Sequence, residues 1–325
     1  MKKRYIMMAA LALTLASCNR DVSHIKMPAT TTVTVNVTLP DAEFGEYQQN
    51  RVLATQPYNL RGVAEFYPKG KSAAVSHVTA LLLPPPTTSG GNYTFSAELP
   101  PNDYEMILWV DYTESGSTAD LWYQTDNLQA IKILATDQTY TAGSDTREVF
   151  YGTASITATQ QATAGVQLTT ERPQAKYTLI AEDVERYRQL QIANPEKYVP
   201  LEELSTQILY EGYLPDGFNA WTGKPNSSQT GYRCAPAPLP TADEADTEVR
   251  IGSDYVLVNG SESSVTVTVL VTDRTGRTIS RVPGVEVQYK RNMLTTVRGD
   301  FLTAGVVTPG IHINTDWEGI HEVEF

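Results

Sequence analysis

Cysteine is nearly missing from this 325-residue chain, which carries two, Cys18 and Cys234. So small a number excludes a disulfide framework, and stability must come from ordinary hydrophobic cores. Histidine is scarce as well. His24, His77, His312 and His321 are scattered, with no i,i+4 pair and no cysteine beside any, so the usual metal-ligand spacings are missing. No G-x-S-x-G, P-loop or G-x-G-x-x-G occurs, so no residue can be assigned to catalysis and no cofactor is expected. Asp111, Glu114, Asp120 and Asp126 flank strands and have calcium-binding chemistry, but they lack the D-x-D-x-D-G spacing and read as solvated loop carboxylates. Positive charge is in deficit, 25 Lys and Arg against 37 Asp and Glu, for a net charge of −12. An acidic surface repels nucleic acid and anionic headgroups, so neither is an expected partner. Long apolar runs are lacking too, with one short exception at the N-terminus.

That exception is the stretch MKKRYIMMAALALTLASCNR. Lys2, Lys3 and Arg4 precede an apolar core over residues 6–15, long enough for a signal sequence and too short to span a bilayer. Leu15-Ala16-Ser17-Cys18 then matches the bacterial lipobox: a bulky apolar residue, two small ones and a cysteine. The expectation is a leader over residues 1–17, cleaved to leave an acylated Cys18, and a polar tether over residues 18–29. Acyl chains on Cys18 bury enough CH₂ groups to hold a protein stably on a membrane. Cys234 is then left without a partner and reads as a small buried residue.

Beyond the tether the signal is β. In residues 30–40, TTTVTVNVTLP, Val33, Val35, Val37 and Leu39 alternate with Thr and Asn, the period-two pattern of a half-buried strand. Further strands are expected over residues 62–67, 76–83, 93–99, 104–112, 121–123, 130–134, 148–159 and 165–170, with residues 41–60 a loop. Short strands with regular turn signals predict a β-sandwich over residues 30–172. Arg172-Pro173 marks a boundary, and residues 173–325 read as a second sandwich with one short helix over residues 182–193, closed by Pro195. Strands are predicted at residues 176–181, 205–213, 254–258, 263–272, 278–287, 293–301 and 310–325, with a hairpin turn at Asp273-Arg274-Thr275-Gly276. Residues 214–240, rich in Gly, Pro and Asn, read as a long loop, and the acidic run 241–250 as a linker.

Several segments resemble a known family. YKRNMLTTVRGDFLT (residues 289–303) is similar to the "KRN…T.I.G..LT" strand of the fimbrillin-like lipoproteins of Bacteroidota, and INTDWEGIHEVEF (313–325) to the ending that follows it. YEMILW (104–109), Tyr151-Gly152 and RPQAK (172–176) are similar to other segments of that superfamily. The resemblance implies an all-β protein of two tandem transthyretin-like sandwiches, lipid-anchored at the outer membrane or cell surface. It also implies kinship with type V pilus subunits and their anchors. Such subunits lose an N-terminal strand to an arginine-specific protease and complete one another by β-strand addition. On that basis Arg51 and Arg61 are candidate maturation sites, and other fimbrial subunits are candidate partners. Phe325 reads as closing the last native strand, which favours an anchor, an accessory subunit or an adhesin over a polymerising shaft subunit. Asn19-Arg20-Asp21 leaves the face of the outer membrane open.

Aromatic side chains offer an alternative, a glycan-binding lipoprotein of a polysaccharide-uptake system. Trp122, Tyr123, Trp221 and Tyr232 are the candidates for stacking on sugar rings, whereas Trp109 and Trp317 read as core or turn residues.

Overall fold

A computed structural model describes residues 30–40, 58–82, 91–160, 164–243, 245–304, 311–314 and 320–322. Cys18, Arg51 and Trp317, with the leader and tether, lie outside the described residues. In chain order β1 (Thr31–Leu39) is followed by β2 (Tyr58–Pro68), β3 (Ser76–Leu82), β4 (Gly91–Leu99) and β5 (Asn102–Glu114). Next come three short strands, β6 (Tyr123–Gln124), β7 (Ile131–Ile133) and β8 (Thr139–Tyr140), then β9 (Phe150–Ala158) and β10 (Ala164–Thr169). A three-stranded sheet, β10-β1-β4, packs on a four-stranded one, β3-β2-β5-β9. The alternation read in β1 is what fills this sandwich: Val33, Val35, Val37 and Leu39 point inward against Leu60, Phe66, Met106 and Leu108. The intervening Thr and Asn side chains stay partly exposed.

The second half runs β11 (Gln174–Ala181), α1 (Val184–Ala193), β12 (Leu204–Tyr210), β13 (Leu214–Asn219), β14 (Lys224–Gln229), β15 (Arg233–Cys234) and β16 (Ala237–Pro238). It ends with β17 (Val249–Leu257), β18 (Glu262–Asp273), β19 (Thr278–Lys290), β20 (Leu294–Gly299), β21 (Ile311–Asn314) and β22 (Ile320–Glu322). One sheet is β17-β11-β20-β21, with β22 also on β20; the other is β19-β18-β12-β15-β8, with β16 on β12. The helix buries Val184 and Tyr187. Its start is tied down by Asp183, whose carboxylate accepts from the Thr303 backbone N–H and hydroxyl, both at 2.7 Å. The protein is all-β, with one α-helix among the described residues. No helix among the described residues is long and apolar enough to cross a membrane.

Two parts of the sequence reading need correction. Residues 214–240 are not one long loop, because they form β13 to β16. Their Gly and Pro content hid the strands. Gly217 sits at a register shift in the β13–β14 pair, and a Cβ there would lie 2.3 Å from the Ser227 hydroxyl. The glycine thus permits a close strand approach instead of breaking a strand. The acidic run 241–250 is likewise part strand, since β17 begins at Val249.

The second correction concerns residues 121–149, counted with the first sandwich. β6 and β7 join β13 and β14 in a four-stranded sheet, and β8 pairs in parallel with β15. The reason lies in β2 and β5, buried along almost their whole length. One face carries Leu60, Phe66, Met106 and Leu108 into the first sandwich. The opposite face carries Val63, Tyr67, Ile107 and Trp109 into a cluster continuous with Tyr123, Phe218, Tyr177 and Val256. A strand apolar on both faces must be covered on both. The core of the C-terminal half therefore reaches the back of the β3-β2-β5-β9 sheet.

Candidate functional site

β1 lies between two partners, parallel to β10 and antiparallel to β4. A nine-residue N-terminal strand thus occupies the central lane of a three-stranded sheet, with four apolar side chains seated in the sandwich core. Removing it would leave two strands unpaired along one edge each and a groove lined by Leu60, Phe66 and Met106.

The motifs behind the family resemblance turn out to be staples. In RPQAK, Arg172 donates to Glu148 at 2.5 Å, Gln174 accepts from the Val149 N–H and donates to the Tyr123 hydroxyl, and Lys176 pairs with Asp145 at 2.6 Å. In KRN, Asn292 takes a left-handed turn, φ 62°, and its side-chain oxygen accepts from Arg172 at 2.6 Å. The two motifs meet through that hydrogen bond. They fasten the 144–150 segment to β11 and to the β19–β20 turn.

Arg61, proposed as a maturation site in a loop, is a correction. It lies inside β2, buried, directly across from Asp111 on β5. Its Nε and Nη2 donate to the two Asp111 carboxylate oxygens at 2.8 and 2.6 Å, and Nη1 donates to Asp120 at 2.9 Å. A protease needs an extended, accessible segment, which this residue does not offer in the folded chain. Asp111 as buried counter-ion, with Asp120 and the Thr118 carbonyl, accounts for a charged residue within a core strand. Asp111, on β5, and Asp120, in the loop that follows β5, accordingly converge on a guanidinium, whereas Glu114 and Asp126 are exposed. Among the described residues no three His, Cys, Asp or Glu side chains gather as a metal ion requires.

Of the four aromatic candidates, the structure separates Trp221 from the rest. Tyr123 is buried, its hydroxyl donating to the Arg147 carbonyl at 2.8 Å, and burial pushes that phenol up to about 12. Tyr232 is buried too; it donates to Asp216 at 3.1 Å, and burial followed by the Asp216 charge raises it to about 12. Trp122 is half-buried, with its indole N–H on the Thr146 hydroxyl at 3.0 Å and the Arg147 guanidinium over its ring. None of these three presents an open ring face to a ligand. The reason is tertiary: each faces the junction between the 121–149 segment and the C-terminal sheets, a packing the sequence pattern does not announce. Cys234 is buried as expected, and burial, then the nearby Asp254 carboxylate, hold its thiol well above its ordinary range.

Trp221 is 39 % exposed. It sits on the turn between β13 and β14, and this turn is fixed from several sides. The Asn219 side-chain oxygen accepts from the backbone N–H of Trp221 at 2.9 Å and of Thr222 at 3.1 Å. Gly223 N–H returns to the Asn219 carbonyl at 2.9 Å, and Arg291 Nη2 donates to the Gly223 carbonyl at 2.7 Å. Gly223 has φ +66°, and a Cβ there would lie 2.5 Å from the Tyr151 hydroxyl, so only glycine fits. One side of the indole rests on Tyr67, with centroids 4.9 Å apart and planes at 89°. The Tyr67 phenol is itself pushed up to about 12, first by burial and then by its hydrogen bond to Glu65. The open side borders a pocket of about 320 Å³ shared with Lys71, Ser72, Gln129, Asn219 and Thr222. Sequence reading found the tryptophan but not Lys71, Ser72 or Gln129, which come from other loops. The Asn219–Gly223 spacing was the one local sign of a tight turn.

Structural comparison gives distant likenesses. A proposed polysaccharide-binding protein from Bacteroides thetaiotaomicron aligns over 83% of this chain and 92% of its own, with TM-score 0.47 and 10% identity. A proposed cell adhesion protein from Bacteroides eggerthii aligns over 83% and 86%, with TM-score 0.44 and 10% identity. A fimbrial assembly protein from Parabacteroides distasonis aligns over 87% and 94%, with TM-score 0.41 and 10% identity. No curated protein matches the chain. A family profile, in contrast, matches residues 26–324, nearly the whole sequence. The chain belongs to that family, described as a family of unknown function (DUF6562).

Proposed function

We propose that this is a lipid-anchored, fimbrillin-like protein of the cell envelope, acting as a fimbrial anchor or accessory subunit or as a surface adhesin. The observation that carries this reading is the seating of β1. The strand nearest the Cys18 tether occupies the central lane of the first sandwich, with its alternate side chains in the core. That is the geometry through which a strand from one chain can complete the sheet of another. Cys18 supplies the anchor in outer-membrane lipid, and exposed sheet edges and loops engage partners. The role so proposed is one of binding.

The test is the mass of the N-terminus of protein recovered from purified outer membranes. An acylated Cys18 with residues 30–40 still attached supports an anchor or stand-alone adhesin. An unlipidated N-terminus just after Arg51 overturns that and makes the chain a maturing pilus subunit. A second reading, a surface glycan-binding lipoprotein beside a polysaccharide importer, is favoured by one observation, the exposed Trp221.

A further inference from the structure

We propose that the Trp221 pocket is a carbohydrate subsite that holds one pyranose ring of a neutral polysaccharide. The inference deepens the adhesive reading by naming a ligand class, and it rests on that reading only for the pocket's access to polysaccharide outside the cell.

The argument begins with what lines the pocket. Trp221 offers an indole that is partly open to solvent and backed by Tyr67, so the ring is supported and not free to swing. Around it stand Ser72, Gln129, Asn219 and Thr222, all uncharged hydrogen-bonding side chains, with Lys71 the one ion among the lining residues. An anionic ligand would need converging cations, and only one is present on a chain of net charge −12. A pyranose has both required surfaces. Its axial C–H face packs on an aromatic ring, and its equatorial hydroxyls donate to and accept from amide and hydroxyl side chains. The pocket volume of about 320 Å³ is at the low end of the range of ligand sites, which suits a single sugar of a longer chain running past.

Preorganisation is the second strand of the argument. The Asn219 side chain, the Gly223 return bond and Arg291 fix the turn before any ligand arrives. The Ala220 N–H also donates to the Leu128 carbonyl at 2.9 Å, which ties this turn to the loop that carries Gln129. On the far side, Lys71 N–H closes a turn onto the Pro68 carbonyl at 2.8 Å. Three loops distant in sequence are thus held in register around one ring. A rigid aromatic platform lowers the entropy cost of binding a flexible polymer.

The test is native gel electrophoresis of the full-length protein, purified in detergent, through gels containing dextran, mannan, xylan or a mixed-linkage β-glucan. At least one polymer retards the wild-type protein. Trp221→Ala weakens that retardation by at least about tenfold, the loss expected when an aromatic stacking surface is removed. Trp221→Phe keeps part of it, and both variants keep the wild-type melting temperature. The proposal is overturned if none of the four polymers retards the protein, or if Trp221→Ala runs like wild type. A fifth gel containing polygalacturonate serves as the anionic control: retardation there alone, abolished by Lys71→Ala and not by Trp221→Ala, also overturns it, because charge would then be the determinant. Capture of fimbrial subunits from cells tests the parent reading separately: binding of sugar without such partners removes the fimbrial role and leaves the site.

Discussion

Arg61→Leu is the substitution that most directly tests the view of β2 as a two-sided core strand. The wild-type guanidinium makes two bonds to Asp111 and one each to Asp120 and the Thr118 carbonyl, within 2.6–2.9 Å. Leucine replaces much of the volume, so the loss is electrostatic and not a cavity. It strands the Asp111 carboxylate at 0 % exposure with the Trp109 indole N–H, 3.2 Å away, as a remaining donor. Breaking one side of a buried pair costs about 3–5 kcal/mol. At about 2–4 °C per kcal/mol for a unit of this size, the melting temperature falls by roughly 6–20 °C. Trp109 places a fluorescence probe beside the lesion. The double variant Arg61→Leu/Asp111→Leu should be more stable than Arg61→Leu alone, since an apolar pair in place of a buried ion pair is often neutral or stabilising. The reasoning fails if Arg61→Leu costs less than about 1 kcal/mol, or if the double variant is worse than the single. It fails equally if an arginine-specific protease cuts the native chain after Arg61.

Other consequences are open to measurement. Asp273 is held down to about 2, first by the Thr275 hydroxyl, then by the backbone N–H groups of Arg277 and Thr275 and by the Arg277 side chain. A folded pKa below the unfolded value contributes stability above about pH 3.8 that is lost as pH falls through about 2; Asp273→Asn should flatten the urea midpoint across that window. Gly223→Ala meets both a positive φ and the Tyr151 hydroxyl, so a loss of about 1–3 kcal/mol is expected, and an unchanged melting temperature would refute the packing described. Val35→Asp puts a charge in the middle of the first core, and limited proteolysis should then release residues 30–40 from a chain otherwise protected. Cys234 should resist iodoacetamide until the protein is unfolded, because its thiol is buried and held in the protonated form.

The period-two patterns were sufficient for the strands that face one core and one solvent layer. β1, β4 and β12 alternate cleanly, and residues 30–40, 93–99 and 205–213 announce them because burial on one side writes itself into every second residue. The helix was legible for the same reason, its period changing after Ala181 and its end set by Asn194 and Pro195. The hairpin turn at Asp273 was legible too, since its Asp, Thr and Gly act through bonds within four residues.

Long-range packing decided the remainder. Nothing local to Arg61 says that Asp111, fifty residues on, will neutralise it, so the sequence offered a loop arginine where the fold has a buried one. Tyr123 and Tyr232 look like any exposed-loop aromatic until β6, β7 and β13 share a sheet and β8 pairs with β15. Gly217 and Pro215 read as loop signals until β14 is seen lying against them. Residue chemistry by itself determined the β class, the approximate strand positions and the candidate anchor at Cys18. Which arginine is buried, which aromatic stays open, and which distant loops meet around Trp221 are properties of contacts between residues far apart in the chain. Only the folded protein sets those, because the energy that fixes them is spent between elements and not within any one of them.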